Sequence, residues 1–286
     1  MTIREALAEG NCSLAAAGIE NPGLDTSLFL AEVLGISRSS LISGLPEPLG
    51  DSAFAAYRRL IERRRNGECT AYIIGRKEFY GLDILVNPSV LAPRPETEIL
   101  VEEAVRQAGI ITESLHVLDL CTGSGAIALA IKHQIPTAQV WATDISADAL
   151  ETARQNSARL LAPDSIHFCQ GDLFTPLSGI HTPFSIIVSN PPYIPSAKIA
   201  SLSREVRGEP VLALDGGADG LDVIRNIISG APDFLDSNGA LLLEADPDQM
   251  DEIAFLYKKS GFSCIKIIKD LSGHERVISG KLTPVG

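Results

Sequence analysis

An apolar run, Ile186-Ile-Val-Ser189, leads directly into Asn190-Pro191-Pro192-Tyr193-Ile194-Pro195. The run reads as a buried strand, and two consecutive prolines at its exit stiffen the backbone and remove two N–H donors. The Asn190 side-chain oxygen and the Pro191 carbonyl can then face a ligand as two acceptors, with the Tyr193 ring available to stack on a flat group. A planar NH2 group suits such a pair, giving one hydrogen to each acceptor. An amide or aniline-type nitrogen is a weak nucleophile because its lone pair is delocalised, and no side chain can deprotonate it beforehand. Two fixed acceptors favour a more tetrahedral nitrogen, align its lone pair with an electrophile and stabilise the positive charge that develops on it. A merely rigid turn after a strand is the plainer alternative.

A second constellation suggests what the electrophile is. Val117-Leu-Asp-Leu-Cys-Thr-Gly-Ser-Gly-Ala-Ile-Ala128 ends a strand and opens a helix, with Gly123 and Gly125 where a ligand would need close backbone approach. In a doubly wound sheet this first strand–helix turn borders the crevice where ligands bind. Gly123-x-Gly125-x-x-Ala128 satisfies the dinucleotide fingerprint, and Asp144 ends the next strand, where a ribose-binding acid belongs. Asp144 suits the ribose of NAD and that of S-adenosylmethionine equally, so the turn by itself indicates only a nucleoside cofactor. Asp172, in Gln170-Gly-Asp-Leu-Phe174, follows the third strand and is placed to accept from an adenine amine, with Leu173 offering backbone and apolar surface. An Asx turn or helix cap is the competing reading of Asp172. An oxidoreductase has no use for the acceptor pair at Asn190, whereas a sulfonium methyl donor does. The combination indicates methyl transfer.

These residues need a scaffold that brings successive strand ends together. From about residue 95 the pattern alternates. A helix follows Pro95, then come the strand His116–Leu120, a helix through Ile127–Ile131, the strand Gln139–Thr143, a helix opening at Ser146, and strands near 166–168 and 185–189. A further helix, the strand Ala240–Glu244, another helix and two last strands near 263–269 and 275–280 complete it. Strands separated by helices imply an α/β fold with a mainly parallel sheet covered on both faces, a Rossmann-like architecture. Residues 1–75 read instead as a helical domain: a first helix over Ala6–Ala15, a second over Leu24–Leu34 and a third that Asp51 can cap. Residues 76–92, with Phe79, Tyr80, Gly81, Ile84 and Val86, read as a β-hairpin linker to a catalytic domain spanning 93–286.

Composition removes several classes of function. Across 286 residues, 45% are hydrophobic and 21% charged, as in an ordinary globular protein with a sizeable core. The net charge of −12 argues against stable nucleic-acid binding, which needs a basic footprint. Five arginines within eight positions, Arg58, Arg59, Arg63, Arg64 and Arg65, form a local exception. They read either as complements to a helix C-terminal dipole or as a docking patch for an anionic partner. No apolar run approaches the roughly 18 residues of a membrane span, and the N-terminus carries charges where a signal peptide needs its apolar stretch. The five cysteines are scattered without a C-x-x-C pair, which suits reduced thiols in a cytoplasmic protein and gives no zinc site. A monomer is expected. No metal is expected.

Taken together, the motifs resemble those of the HemK/PrmC family, which methylates glutamine N5 in bacterial peptide chain release factors. The matching segments are Tyr72-Ile-Ile-Gly75, Phe79-Tyr-Gly81, Pro93-Arg-Pro-Glu-Thr-Glu98, Asp119–Gly125, Asn190–Tyr193, Glu209-Pro210, Ala213–Leu221 and Asp270–Val277. The resemblance implies a class I S-adenosylmethionine-dependent fold, S-adenosylhomocysteine as product, a release-factor Gly-Gly-Gln segment as substrate, and helical-domain involvement in partner recognition. It places the cofactor on Cys121, Thr122, Gly123, Ser124, Gly125, Asp144, Asp172, Leu173 and Asn190. It places the substrate glutamine on Asn190, Pro191, Pro192 and Tyr193, with Asn190, Pro191 and Tyr193 catalytic. A ribosomal-protein glutamine methyltransferase and an adenine-N6 methyltransferase are the neighbouring alternatives, and a non-catalytic binding protein on the same fold is a more distant one. Leu243-Glu-Ala-Asp-Pro-Asp-Gln249 departs from the family pattern, so nothing beyond sheet structure is carried over to it. Pro93–Glu98 reads equally as helix-start electrostatics or as a lid over the cofactor, Arg94 being least explained by capping.

Overall fold

The computed structural model describes residues 1–111, 114–179 and 182–283. Its residues group into two compact units, one of Met1–Gly75 with Ser203–Gly208 and the other of Arg76–Leu202 with Glu209–Gly286.

The first unit is helical. Helix α1 (Ile3–Ala16) starts at a capping box in which Thr2 Oγ1 accepts from the Glu5 N–H and the Glu5 carboxylate accepts from the Thr2 N–H. Helix α2 (Pro22–Leu34) has proline in its first turn and ends at Gly35 with φ 63°. Two short helices, α3 (Arg38–Ser43) and α5 (Thr70–Ile74), flank α4 (Asp51–Arg65). Asp51 is the first residue of α4 rather than its cap; Gly50 holds the cap position, without a side-chain bond. Leu14, Phe29, Leu30, Leu41, Tyr57 and Ile61 form the unit's core.

The arginine run resolves into intramolecular pairs. Arg64 is buried, donating from Nε to Asp25 at 2.7 Å and from Nη2 to Glu205 at 2.7 Å. Arg63 pairs with Glu68, and Arg65 with Glu62. A five-arginine docking patch is therefore corrected, since Arg64 faces inward. The same pair explains why Ser203–Gly208, expected in the catalytic domain, belongs with the helical unit.

The second unit opens with the antiparallel hairpin β1 (Arg76–Phe79) and β2 (Leu82–Leu85), turned at Tyr80 and Gly81 with φ 51° and 78°. It is no free linker. Buried Asn156 accepts from the Leu85 N–H at 2.7 Å and donates to the Leu85 and Ser124 carbonyls, tying the hairpin to the glycine turn. Beyond it follow α6 (Glu98–Ala108), β3 (His116–Leu120), α7 (Ala126–Gln134), β4 (Gln139–Asp144), α8 (Ala147–Leu160), β5 (Ile166–Gln170) and β6 (Phe184–Ser189). The chain ends with α9 (Ser196–Ile199), α10 (Asp222–Gly230), β7 (Leu235–Glu244), α11 (Met250–Lys259), β8 (Phe262–Lys269) and β9 (Glu275–Leu282).

Among the described residues, β3 to β9 make one seven-stranded sheet in the order β5-β4-β3-β6-β7-β9-β8, with β9 antiparallel to both neighbours. Strand β3 pairs in parallel with both β4 and β6, so the strand order reverses there. At such a switch point the strand C-terminal ends open a crevice. Fully buried Leu118, Leu120, Ile187, Leu241 and Leu243 fix the strands that frame it. Each such side chain contributes about 1.5–3 kcal/mol of burial energy.

Candidate active site

The crevice at the ends of β3 to β6 is a cleft lined by Cys121, Gly123, Ser124, Asp144, Asp172, Leu173, Asn190 and Pro192, with Arg94 and Thr97 from the Pro93–Glu98 segment. Strand register explains the gathering, because parallel pairing sets Leu120 beside Thr143 and Ser189. The residues that follow each strand must therefore share one edge.

The glycine turn is held from below and from the side. Buried Asp119 accepts from Thr122 Oγ1 at 2.6 Å and from the Ala128 N–H at 3.2 Å. Burial pushes the Asp119 carboxyl up to about 7. Asp144 accepts from the Gly123 N–H at 2.8 Å and from the Ser146 N–H at 2.9 Å, leaving lone pairs on both oxygens for hydroxyl donors. Burial raises the Asp144 carboxyl above the usual aspartate range, opposed by these backbone donors. Gly123 has φ 56°, and a Cβ built there would meet nothing within 4 Å, so its backbone borders open space. Thr122 and Gly125 lie off the cleft wall. Thr122 braces Asp119, while Gly125 enters α7 with φ 81°, where an added Cβ would stand 3.1 Å from the Ala153 Cβ. Sequence reasoning grouped them with the ligand contacts because a turn's supporting and exposed residues share one motif.

Cys121 and Leu173 adopt left-handed backbone conformations, φ 57° and 47°, unusual for residues with side chains. Burial raises the Cys121 thiol far above the ordinary range, so it stays protonated and no nucleophile. Apolar Val90, Leu91, Ile145 and Leu212 complete the walls. The combination of exposed backbone, apolar walls and the carboxylates Asp144 and Asp172 fits a nucleoside bearing a positive charge.

Asn190 is half-buried at the end of β6 and donates from Nδ2 to Thr97 Oγ1 at 3.2 Å. Asn190 and Pro192 line the cleft, with the Pro191 carbonyl between them in the backbone. The Tyr193 ring packs against the sheet core, and its carbonyl accepts from Gln249 Nε2 at 2.9 Å. The loop is braced by the glycine-rich stretch behind it: Ile194 donates to Leu214 O and Gly216 donates to Ile194 O, both at 2.9 Å. A Cβ on Gly220 would stand 2.2 Å from the Tyr193 carbonyl oxygen, so only glycine permits this approach.

The Pro93–Glu98 segment is more than a helix start. Arg94 Nη2 pairs with the buried Glu209 carboxylate at 2.5 Å, anchoring the segment beside the cleft. Glu98 accepts from the Tyr80 N–H at 2.8 Å. Thr97 occupies the cap position of α6 yet makes no capping bond; its Oγ1 instead accepts from Asn190 Nδ2. Thr97 and Glu209 fell within the segments Pro93–Glu98 and Glu209-Pro210 without an assigned role, and Glu244 and Gln249 within a segment to which nothing was carried over. The charge that capping left unexplained was Arg94.

This fold and cleft define a methyltransferase of the Rossmann-like type. Residues 94–204 match the methyltransferase small domain model, and residues 5–75 match the PrmC N-terminal domain model. The catalytic domain of hMettl16, solved with the MAT2A 3′UTR hairpin 6, superposes with a TM-score of 0.60 at 14% identity, over 79% of this chain and 83% of that one, a likeness of fold alone. The release factor glutamine methyltransferase of Geobacter sulfurreducens is 41% identical over 98% of this chain and 97% of its own. That of Vibrio cholerae is also 41% identical, over 98% and 97%. The chain belongs to the release factor glutamine methyltransferase family.

Proposed function

We propose that the chain transfers a methyl group from S-adenosylmethionine to the side-chain amide nitrogen of the glutamine in the Gly-Gly-Gln segment of peptide chain release factors. When bound, the cofactor supplies an electrophilic methyl on a sulfonium and leaves as S-adenosylhomocysteine. Asp144 takes the ribose hydroxyls, while Asp172 and Leu173 take the adenine. The backbone from Cys121 to Ser124 takes the methionine portion. Asn190 Oδ1 and the Pro191 carbonyl accept the two amide hydrogens, orient the nitrogen lone pair and stabilise its developing charge. One of those protons leaves to solvent after transfer, restoring a neutral amide.

The observation that carries this reading is the anchoring of Asn190: its Nδ2 is committed to Thr97, so Oδ1 remains as an acceptor at the cleft. Likeness over nearly the full length, at 41% identity, to release factor glutamine methyltransferases supports the substrate class. The helical unit, covered by its own family model, recognises the body of the partner. A net charge of −12 disfavours nucleic acid as the substrate. Among the described residues no helix is long and apolar enough to cross a membrane.

Incubation with labelled S-adenosylmethionine and a release factor, a release factor carrying Ala for the Gly-Gly-Gln glutamine, ribosomal proteins, or adenine-containing DNA tests this. Label on the glutamine of the intact factor alone is expected. Label on a ribosomal protein or on adenine instead would overturn the substrate assignment.

A further inference from the structure

On the reading of the cleft as a site for S-adenosylmethionine, we infer that Arg94 holds the carboxylate of the cofactor's methionine portion, and that buried Glu209 is the positioning residue that sets its guanidinium at the cleft. The methionine end is an amino acid, with a carboxylate beside its ammonium and sulfonium groups. Asp144 and Asp172 suit ribose hydroxyls, an adenine amine and a nearby positive charge, but a carboxylate needs donors or a cation. Among the side chains lining the cleft, Arg94 is the one lysine or arginine.

Strand order sets which end of the ligand Arg94 meets. The sheet runs β5-β4-β3-β6 across the cleft. Asp172 follows β5, Asp144 ends β4, Cys121 follows β3 and Asn190 follows β6. A cofactor with its adenine by Asp172 and its ribose by Asp144 therefore extends its methionine portion toward the ends of β3 and β6. Arg94 belongs to the Pro93–Glu98 segment, whose Thr97 Oγ1 accepts from Asn190 Nδ2 at 3.2 Å. The segment thus stands at the β6 end of the cleft, which is the end the amino-acid portion reaches.

The Arg94 side chain has room for a second partner. Glu209, 3% exposed, accepts from Arg94 Nη2 on one oxygen and from the Ala92 N–H at 3.4 Å on the other. One buried carboxylate therefore fixes both the guanidinium and the backbone two residues ahead of it. Among the described residues, Nη2 is the only Arg94 nitrogen with a hydrogen bond. Nε and Nη1 keep their donors, on a side chain that is 33% exposed and borders the cleft. A guanidinium carries five donors in a planar fork and can serve two carboxylates at once. Arg64 of the helical unit does so, with Asp25 on Nε and Glu205 on Nη2.

Equilibrium titration of the full-length chain with S-adenosylmethionine and with decarboxylated S-adenosylmethionine, which lacks only that carboxylate, tests the inference. Wild type is expected to prefer S-adenosylmethionine. Arg94→Gln should bind S-adenosylmethionine about 10–100-fold more weakly, the size of a lost charge-assisted hydrogen bond. Its affinity for the decarboxylated analogue should change by less than about threefold, since the removed groups no longer meet. Arg94→Lys, a point charge without the fork, should lose less than Arg94→Gln, and on S-adenosylmethionine alone. Glu209→Ala should shrink the preference between the two ligands, and Glu209→Gln, which still accepts from Arg94, should retain more of it. A full preference in Glu209→Ala would remove its positioning role. Equal losses of both ligands in Arg94→Gln would reduce the pair to an anchor of the segment and overturn the inference, as would unchanged affinity for both. A raised KM for the release factor beside unchanged cofactor affinity would assign Arg94 to the protein substrate instead. Should Arg94→Gln fail to fold, Arg94→Lys decides by the same comparison. Wild type that binds neither ligand would overturn the cofactor reading itself.

Discussion

Asn190 is the residue at which binding and chemistry separate. In the proposed reaction its oxygen accepts from an amide hydrogen that becomes more acidic as positive charge builds on nitrogen, so that contact would strengthen in the transition state. Removing it should therefore fall on kcat more than on KM. By analogy with loss of one oxyanion-hole donor, Asn190→Ala is expected to lower kcat by about 10²–10³, or ~2.7–4 kcal/mol. Asn190→Asp retains an acceptor but gives up the Nδ2–H that Thr97 receives, and sets a carboxylate in front of Thr97. It should fall between wild type and Ala. Steady-state kinetics with a release factor and direct titration of S-adenosylmethionine distinguish these outcomes. A fall in cofactor affinity with unchanged kcat would move Asn190 from the chemistry to the cofactor site.

At the scale of elements, two tight packings control the site and the helical unit. Gly220 approaches the Tyr193 carbonyl so closely that a Cβ would lie 2.2 Å from the oxygen, with φ 81° besides. Gly220→Ala should displace the Asn190–Tyr193 loop and lower kcat while destabilising the chain by ~1–3 kcal/mol. Gly261→Ala is the matched control, since φ is 85° there but nothing lies within 4 Å of the added carbon. It should cost stability alone; equal kcat losses in both would show that loop displacement is not the cause. In the helical unit, Arg64→Gln leaves Asp25 and Glu205 without their shared cation. Breaking a buried pair from one side is expected to destabilise by about 3–5 kcal/mol, measurable by denaturant unfolding. The strands and longer helices here were legible because periodicity and strand-end residues such as Asp144 and Asn190 are local signals. The supports were not. Thr97 and Glu209 lay in motif segments with no assigned role, and only the folded chain brings Thr97 to Asn190 and Glu209 to Arg94. The antiparallel insertion of β9 between β7 and β8 was equally invisible, since strand order is a long-range property.

For the whole molecule, a buried carboxylate makes stability depend on pH. Burial pushes Glu244 up to about 7, from an ordinary value of 4.5. The folded chain therefore holds a proton that the unfolded chain releases, so folding is favoured by protonation. The contribution is fully present below about pH 4.5 and is lost as pH rises through about 7. At about 1.4 kcal/mol per unit it amounts to at most ~3 kcal/mol. Asp119, also raised to about 7 by burial, acts in the same direction, so a single variant must separate the two. Glu244→Gln does this, being neutral at every pH while Asp119 remains. Its second amide group takes the place of an unpartnered oxygen, which shifts stability by an amount independent of pH. The difference in unfolding free energy between Glu244→Gln and wild type should therefore move in favour of the variant between pH 5 and pH 8. Urea unfolding measured at half-unit steps reads the difference. A stability difference that stays constant with pH would show that Glu244 is already ionised throughout this range.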